Sequence, residues 1–317
     1  MKGTVYSVDF GDDFAAHTIE MMEAEFIKNG YDWPDITLWV PSSRSARMFK
    51  DAFTRQKGQA SLLPTIMPLN ISEDFEDYFA FEDEGSERVT SVSQLEKLLV
   101  LTRLVQARDN TMSPARALEN AESLAAVFDT LTRFNITVED LEKLVVGDMA
   151  DHWQANLEFI KIALHFYPQW LQEKGLKDPE LAQAERLYSV AAMYRKGYKK
   201  PVVAAGFSDT VPAGVEVLKA ITEMENGRLV LAGFEPAQED DNLPAAHPLT
   251  PICNLLEKCG VNHSNVLKIS SKKEGGAWQN IFLNNNVKKY IYNMQLIDYF
   301  DEWRVDVLAK LPSLTIF

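Results

Sequence analysis

Two segments with the composition of buried strands, each followed at once by an amphipathic helical segment, open this chain. The N-terminal TVYSVDF is rich in β-branched and aromatic residues and predicts a strand. Phe14, Ile19, Met22 and Phe26 then recur at helical spacing, and Gly30 ends that run. ITLWV, residues 36–40, predicts a second strand. After it Ala46, Phe49 and Phe53 form one apolar stripe, with Arg44, Arg47 and Asp51 on another face. Strands that alternate with helices are joined by crossovers, which makes them parallel. The first 53 residues therefore predict the opening of an α/β fold with a parallel sheet.

The alternation then stops for about a hundred residues and resumes. From 91 to 196 the pattern is helical: Leu95, Leu98 and Leu99 mark one helix, Pro114 after Ser113 starts another, and HWQANLEFIKIALHFYPQWL (152–171) makes a third. Strand signals return at PVVAAGF (201–207) and RLVLAGFE (228–235), with a helix from Pro212 between them. The expected organisation is a discontinuous α/β domain, 1–90 and 197–270, split by a helical insertion at 91–196. Two stretches stand apart. EDFEDYFAFEDEGSE (73–87) holds eight acids and no base, the composition of a solvated linker. The tail, 271–317, turns rich in Asn, Ile, Tyr and Lys from Trp278 onward, as a terminal helix, a truncation or a shifted reading frame would.

Several function classes are disfavoured. A composition of 46% hydrophobic and 25% charged residues is that of a soluble globular protein. No run of 18 apolar residues offers a membrane span, and MKGTVYSVDFGDD lacks a signal peptide's apolar stretch, so a cytoplasmic location is expected. Cys253 and Cys259, six apart, fit no common metal spacing and read as reduced thiols. The long aromatic faces around His152 and His165 read as core, and a ligand role is not expected for either histidine. The formal net charge of −14 argues against wholesale coating of nucleic acid while leaving room for a local basic track.

One loop raises the question of phosphate. A phosphate-binding loop runs G-x-x-x-x-G-K-[ST] between a strand and a helix. GDDFAAHT (11–18) stands in that position, with Gly11 and Thr18 at the right spacing but Ala16 for the second glycine and His17 for the lysine. Asp12 and Asp13 add negative charge where phosphates would lie. The segment is either a degenerate nucleotide loop or an ordinary strand-to-helix turn. No strand ending in Asp-Glu follows to hold Mg²⁺, and G-x-S-x-G, H-E-x-x-H and cysteine clusters are missing. The sequence predicts no catalytic residues, no metal, no cofactor and no ATP hydrolysis.

WVPSSRSARMFKDAF (39–53), LLPTIMPL (62–69), residues 152–179, PVVAAGFSDTVPAGVEVLKAI (201–221) and AHPLTPICNLLEKCGV (246–261) resemble, in order, the N-terminal part of AddB. AddB is the second subunit of the bacterial AddAB helicase–nuclease, and the form resembled is the alphaproteobacterial one. The resemblance covers residues 1 to about 268. It implies a superfamily 1 helicase-like (P-loop NTPase-like) domain carrying a large helical insertion, in a half that does not drive translocation. It also implies a role in double-strand-break repair and recombination, with an AddA-like helicase–nuclease subunit and single-stranded DNA as partners.

On that resemblance the turn at 41–47 matches the helicase motif that touches single-stranded DNA. Ser42, Ser43, Arg44 and Arg47 become the candidate DNA-binding residues, since a helix N-terminus and flanking arginines can hold a backbone phosphate. The bland alternative pairs both arginines with the acidic run. The chain departs from the family in Ser43, Thr65 and Met67, which carry no charge where members are often basic. Members also end in a RecB-like exonuclease domain with metal-binding carboxylates and, commonly, an iron–sulfur cluster. Neither is found in these 317 residues, so that activity is not expected to carry over. A stand-alone interaction protein, or a remnant without DNA function, is the rival reading; a small-molecule enzyme on a doubly wound sheet is a third.

Overall fold

The computed structural model describes residues 3–9, 12–57, 62–69, 90–143, 150–234 and 247–269, with the side chains of 142 and 150–156 outside that description. Gly11, the acidic run at 73–87 and the tail lie outside the described residues. The chain runs β1 (Thr4–Val8), α1 (Phe14–Glu25), β2 (Thr37–Val40), α2 (Ser43–Lys57) and β3 (Thr65–Pro68). Five helices follow: α3 (Gln94–Arg108), α4 (Pro114–Phe134), α5 (Val138–Glu142), α6 (Ala150–Lys174) and α7 (Pro179–Arg195). The alternation resumes with β4 (Val202–Ala205), α8 (Pro212–Glu223), β5 (Gly227–Ala232), α9 (Thr250–Lys258) and β6 (Val266–Ile269).

The six strands form one sheet in the order β3-β2-β4-β5-β1-β6, and every pairing is parallel. This is the α/β fold with a parallel sheet that the alternation predicts. β3 and β6, which no strand signal marks, form its two edges.

Right-handed crossovers decide which helix covers which face. From β1 the chain crosses to β2 in one direction; from β5 it crosses past β1 to β6 in the other. Their helices therefore fall on opposite faces. Ala15, Ile19 and Met22 of α1 join Phe49 and Phe53 of α2 against Val8, Val40, Val203 and Val230. On the other face α7, α8 and α9 bury Leu187, Leu218 and Leu255 against Trp39, Val202, Leu229 and Leu231. Buried on both faces, the central strands read as apolar runs without alternation. VVAA of β4 is buried at all four positions.

The helical run has its own core. Leu101 and Val105 of α3, Ala121 and Phe128 of α4, and Ala163 and Tyr167 of α6 pack together away from the sheet. α7 ends the run but packs on the sheet through Leu187, Val190, Ala191 and Tyr194. At its start, Arg133 of α4 meets Glu180 with Nη2–Oε1 at 2.6 Å and Nε–Oε2 at 3.1 Å. α7 thus ties the helical run to the sheet.

Candidate functional site

The candidate turn lies at the carboxyl edge of the sheet. β2 ends at Val40, whose carbonyl accepts the Leu69 N–H at 2.8 Å, so the chain leaving β3 lies beside Pro41 and Ser42. Ser42 caps α2: its Oγ accepts the Ser45 N–H at 3.3 Å and lies 3.1 Å from Ser45 Oγ. The Ala46 N–H bonds to the Ser42 carbonyl at 3.0 Å, closing the first turn. The Ser43 and Arg44 amides precede that bond and lie at the positive end of the helix dipole.

Arg44 and Arg47 are exposed, and their side chains make no ion pair or hydrogen bond among the described residues. Ala46 and Phe49, between and beyond them, are buried and fix the helix on the sheet. The four predicted residues Ser42, Ser43, Arg44 and Arg47 therefore lie together at the head of α2. α2 carries five cations against one acid in a chain of net charge −14. Its last two cations are engaged: Arg55 Nη2 lies 3.8 Å from Asp13 Oδ2, and Lys57 Nζ lies 3.0 Å from Glu23 Oε2.

Gly206, after β4, joins the turn to the N-terminal loop. At φ 81° it occupies the left-handed region, and a Cβ there would lie 3.3 Å from Phe14 Cε1 and 3.9 Å from Pro41 Cδ. Phe14 begins α1, so Ala16, His17 and Thr18 lie inside a helix rather than in a loop that wraps phosphates. Asp13 caps that helix, its Oδ1 accepting the Ala16 N–H at 3.1 Å. His17 sits between carboxylates, with Nδ1 3.1 Å from Glu20 Oε2 and Nε2 3.7 Å from Asp12 Oδ2. Thr18 is fully buried and its hydroxyl donates to the Phe14 carbonyl at 2.7 Å. The end of α1 that would receive an anion already holds a carboxylate.

β1 and β5 are neighbours whose chains leave in opposite directions, the arrangement at which open α/β sheets bind ligands. There Asp9, only 8% exposed, has Oδ1 2.9 Å from Lys268 Nζ. That oxygen makes no hydrogen bond, so the contact is a charge pair with poor direction. The Ser7 hydroxyl donates to the Phe234 carbonyl. A cleft of about 800 Å³ opens at the opposite, amino edge of the sheet. Several of its polar groups are engaged with one another or with neighbours: Arg195 pairs with Glu216 and Glu223, and Asn226 donates to Tyr31 and to the Lys199 carbonyl. Among the described residues no group of three or more His, Cys, Asp and Glu is placed to hold a metal ion. No described helix is long and apolar enough to cross a membrane.

One buried charged cluster, which no sequence motif marks, lies in the helical run. Lys97, 1% exposed, has Nζ 2.5 Å from Asp129 Oδ1 and 2.7 Å from Asp178 Oδ2. Tyr167 donates to the same Asp178 oxygen at 2.9 Å, and Asp178 Oδ1 caps α7 by accepting the Glu180 N–H at 2.9 Å. Burial, then the Asp178 charge, pushes the Tyr167 hydroxyl well above its ordinary pKa, which keeps it a donor. The signal was visible: a lysine in register with Val100, Leu101 and Val105 on the apolar face of α3. Four elements meet at this cluster, and its chemistry is that of a fastening point.

No family model matches the chain, and no curated protein matches it.

Proposed function

We propose that this chain is a non-catalytic, helicase-like module of an AddB-like double-strand-break repair protein. In this reading it guides a single DNA strand over the β2–α2 turn and docks an AddA-like helicase–nuclease subunit in the cytoplasm. The observation that carries the reading is the pair Arg44 and Arg47: exposed and unpartnered among the described residues, beside a helix N-terminus at the carboxyl edge of a parallel sheet. A backbone phosphate fits those groups. The ordered resemblance to AddB supports the partner and the pathway. A carboxylate at the head of α1 supports a role without nucleotide hydrolysis.

The direct test is fluorescence anisotropy with a labelled single-stranded oligonucleotide. Binding is expected to be weak and confined to low salt, because the chain's net charge of −14 repels a polyanion. Two phosphate contacts predict a shallow salt slope, roughly −1 to −2. Changing Arg44 and Arg47 together to Glu should abolish binding without unfolding the protein, since both lie off the buried Ala46–Phe49–Phe53 stripe. A double variant that binds like the wild type places any DNA track elsewhere. One that unfolds makes the arginines structural and favours the stand-alone interaction protein.

A further inference from the structure

The free positive charge of α2 does not end at the turn. Lys50 is exposed, and its side chain, like those of Arg44 and Arg47, makes no ion pair or hydrogen bond among the described residues. The three cations follow one another at three-residue intervals. At a rise of 1.5 Å per residue they span about 9 Å of helix axis, and each step turns about 60° around it. The row therefore crosses the outward face diagonally, while Ala46, Phe49, Ala52 and Phe53 hold the opposite face against the sheet.

A strand bound at the turn has two ways to continue. Across the neighbouring strand ends it meets the carboxylates of Asp12 and Asp13 before α1, and the exposed Asp209 after β4. Along α2 it meets Lys50, with Asp51 as the one acid on the helix. A polyanion is repelled on the first path and attracted on the second.

We infer that Lys50 is a third backbone-contacting residue, and that a single nucleic-acid strand leaves the β2–α2 turn along the outer face of α2. This rests on the proposed reading of the turn. Arg55 and Lys57 are not part of the track, because Asp13 and Glu23 already engage them. Asp51 opposes the strand and limits its affinity.

Anisotropy on single variants of the full chain separates the track from the turn. Lys50→Glu should weaken oligonucleotide binding at low salt several-fold and make the salt slope shallower by about 0.7, one single-strand contact. Arg55→Glu should leave both unchanged, and Asp51→Asn should tighten binding. If Lys50→Glu binds as the wild type does while the Arg44/Arg47 double variant does not, the turn stands and the track falls. If Lys50→Glu and Arg55→Glu weaken binding equally, overall charge is at work and the track falls. If the wild type does not bind at all, both readings fall. A melting curve for each variant guards against unfolding, with Lys50→Gln as the milder change to be scored in the same way.

Discussion

Trp39 Nε1 donates to the Tyr194 hydroxyl at 2.9 Å, with Trp39 fully buried and Tyr194 3% exposed. This bond joins β2, the strand that delivers the candidate turn, to the last turn of α7, the helix that ties the helical run to the sheet. Higher on α7, Gln183 Nε2 donates to the Leu69 carbonyl at 3.2 Å, where β3 runs out beside the same turn. The scaffold under Ser42–Arg47 is therefore held from behind by α7.

Tyr194→Phe removes the acceptor and keeps the ring. Its expected cost is about 1 kcal/mol, the net contribution of a typical hydrogen bond. Trp39→Phe removes the donor as well as packing. The double variant should be less destabilised than the two singles combined, since the same bond is lost in each single variant and is counted only once in the double. Urea unfolding of the four proteins measures this, and strict additivity would show that the bond contributes nothing.

How much of this was legible follows burial. The central strands announce themselves because they are apolar at nearly every position, as in VVAA. The edge strands do not. In VLKI of β6 only Val266 is buried, and TIMP of β3 ends in proline, so neither carries a periodic signal. The turn was readable as a strand handing over to a helix. Which cations remain free was not, because Arg55 meets Asp13 across 42 residues of sequence and Lys57 meets Glu23 across 34. The head of α1 was legible in its chemistry, in Asp12 and Asp13, and in the helical spacing of Phe14, Ile19 and Met22, which already takes in His17 and Thr18. The cap was not: only the structure turns Asp13 onto the Ala16 amide.

Lys97→Met tests the buried cluster. Removing the ammonium leaves the buried Asp178 carboxylate without its cation, while the half-buried Asp129 still reaches water, and breaking a buried pair costs about 3–5 kcal/mol. Adding Asp178→Asn should recover part of that loss, because the stranded charge goes with it. Thermal melts followed by circular dichroism read both. A Lys97→Met protein as stable as the wild type would show that the cluster is not a fastening point.

Alkaline pH should loosen the fold. Burial pushes the Cys259 thiol up to about 11 from an ordinary 9. A group whose folded pKa is raised binds its proton more tightly in the native state. Its contribution is complete below pH 9 and is lost as pH rises toward 11. Two units correspond to about 3 kcal/mol at most. Tyr6 adds a second loss at higher pH: burial, then its bond to Glu25, raises its hydroxyl from 10 to about 12. Cys259→Ala should flatten the fall in melting temperature between pH 8.5 and 10, roughly the window in which the thiol but little of the tyrosine contributes. An unchanged slope would assign that loss to other groups.

Nucleotide should not bind at the head of α1. In a phosphate-binding loop the helix begins at the lysine, and free backbone amides wrap the phosphates. Here the helix begins at Phe14, Asp13 already accepts the Ala16 amide, and Asp12 lies beside His17. A polyphosphate entering that site would displace one carboxylate and face another, with the exposed Arg55 guanidinium beside Asp13 as the one cation placed there among the described residues and no lysine in the loop. Calorimetry with millimolar Mg-ATP is expected to give no saturable heat. His17→Lys alone should not restore binding, because the helix start and the Asp13 cap stay in place. Asp13→Gly together with His17→Lys removes the cap and supplies the cation, and is the variant in which weak binding is expected to emerge. Micromolar binding by the wild type would mean that the head of α1 opens to accept phosphate, and would overturn the assignment of this chain as a module without nucleotide chemistry.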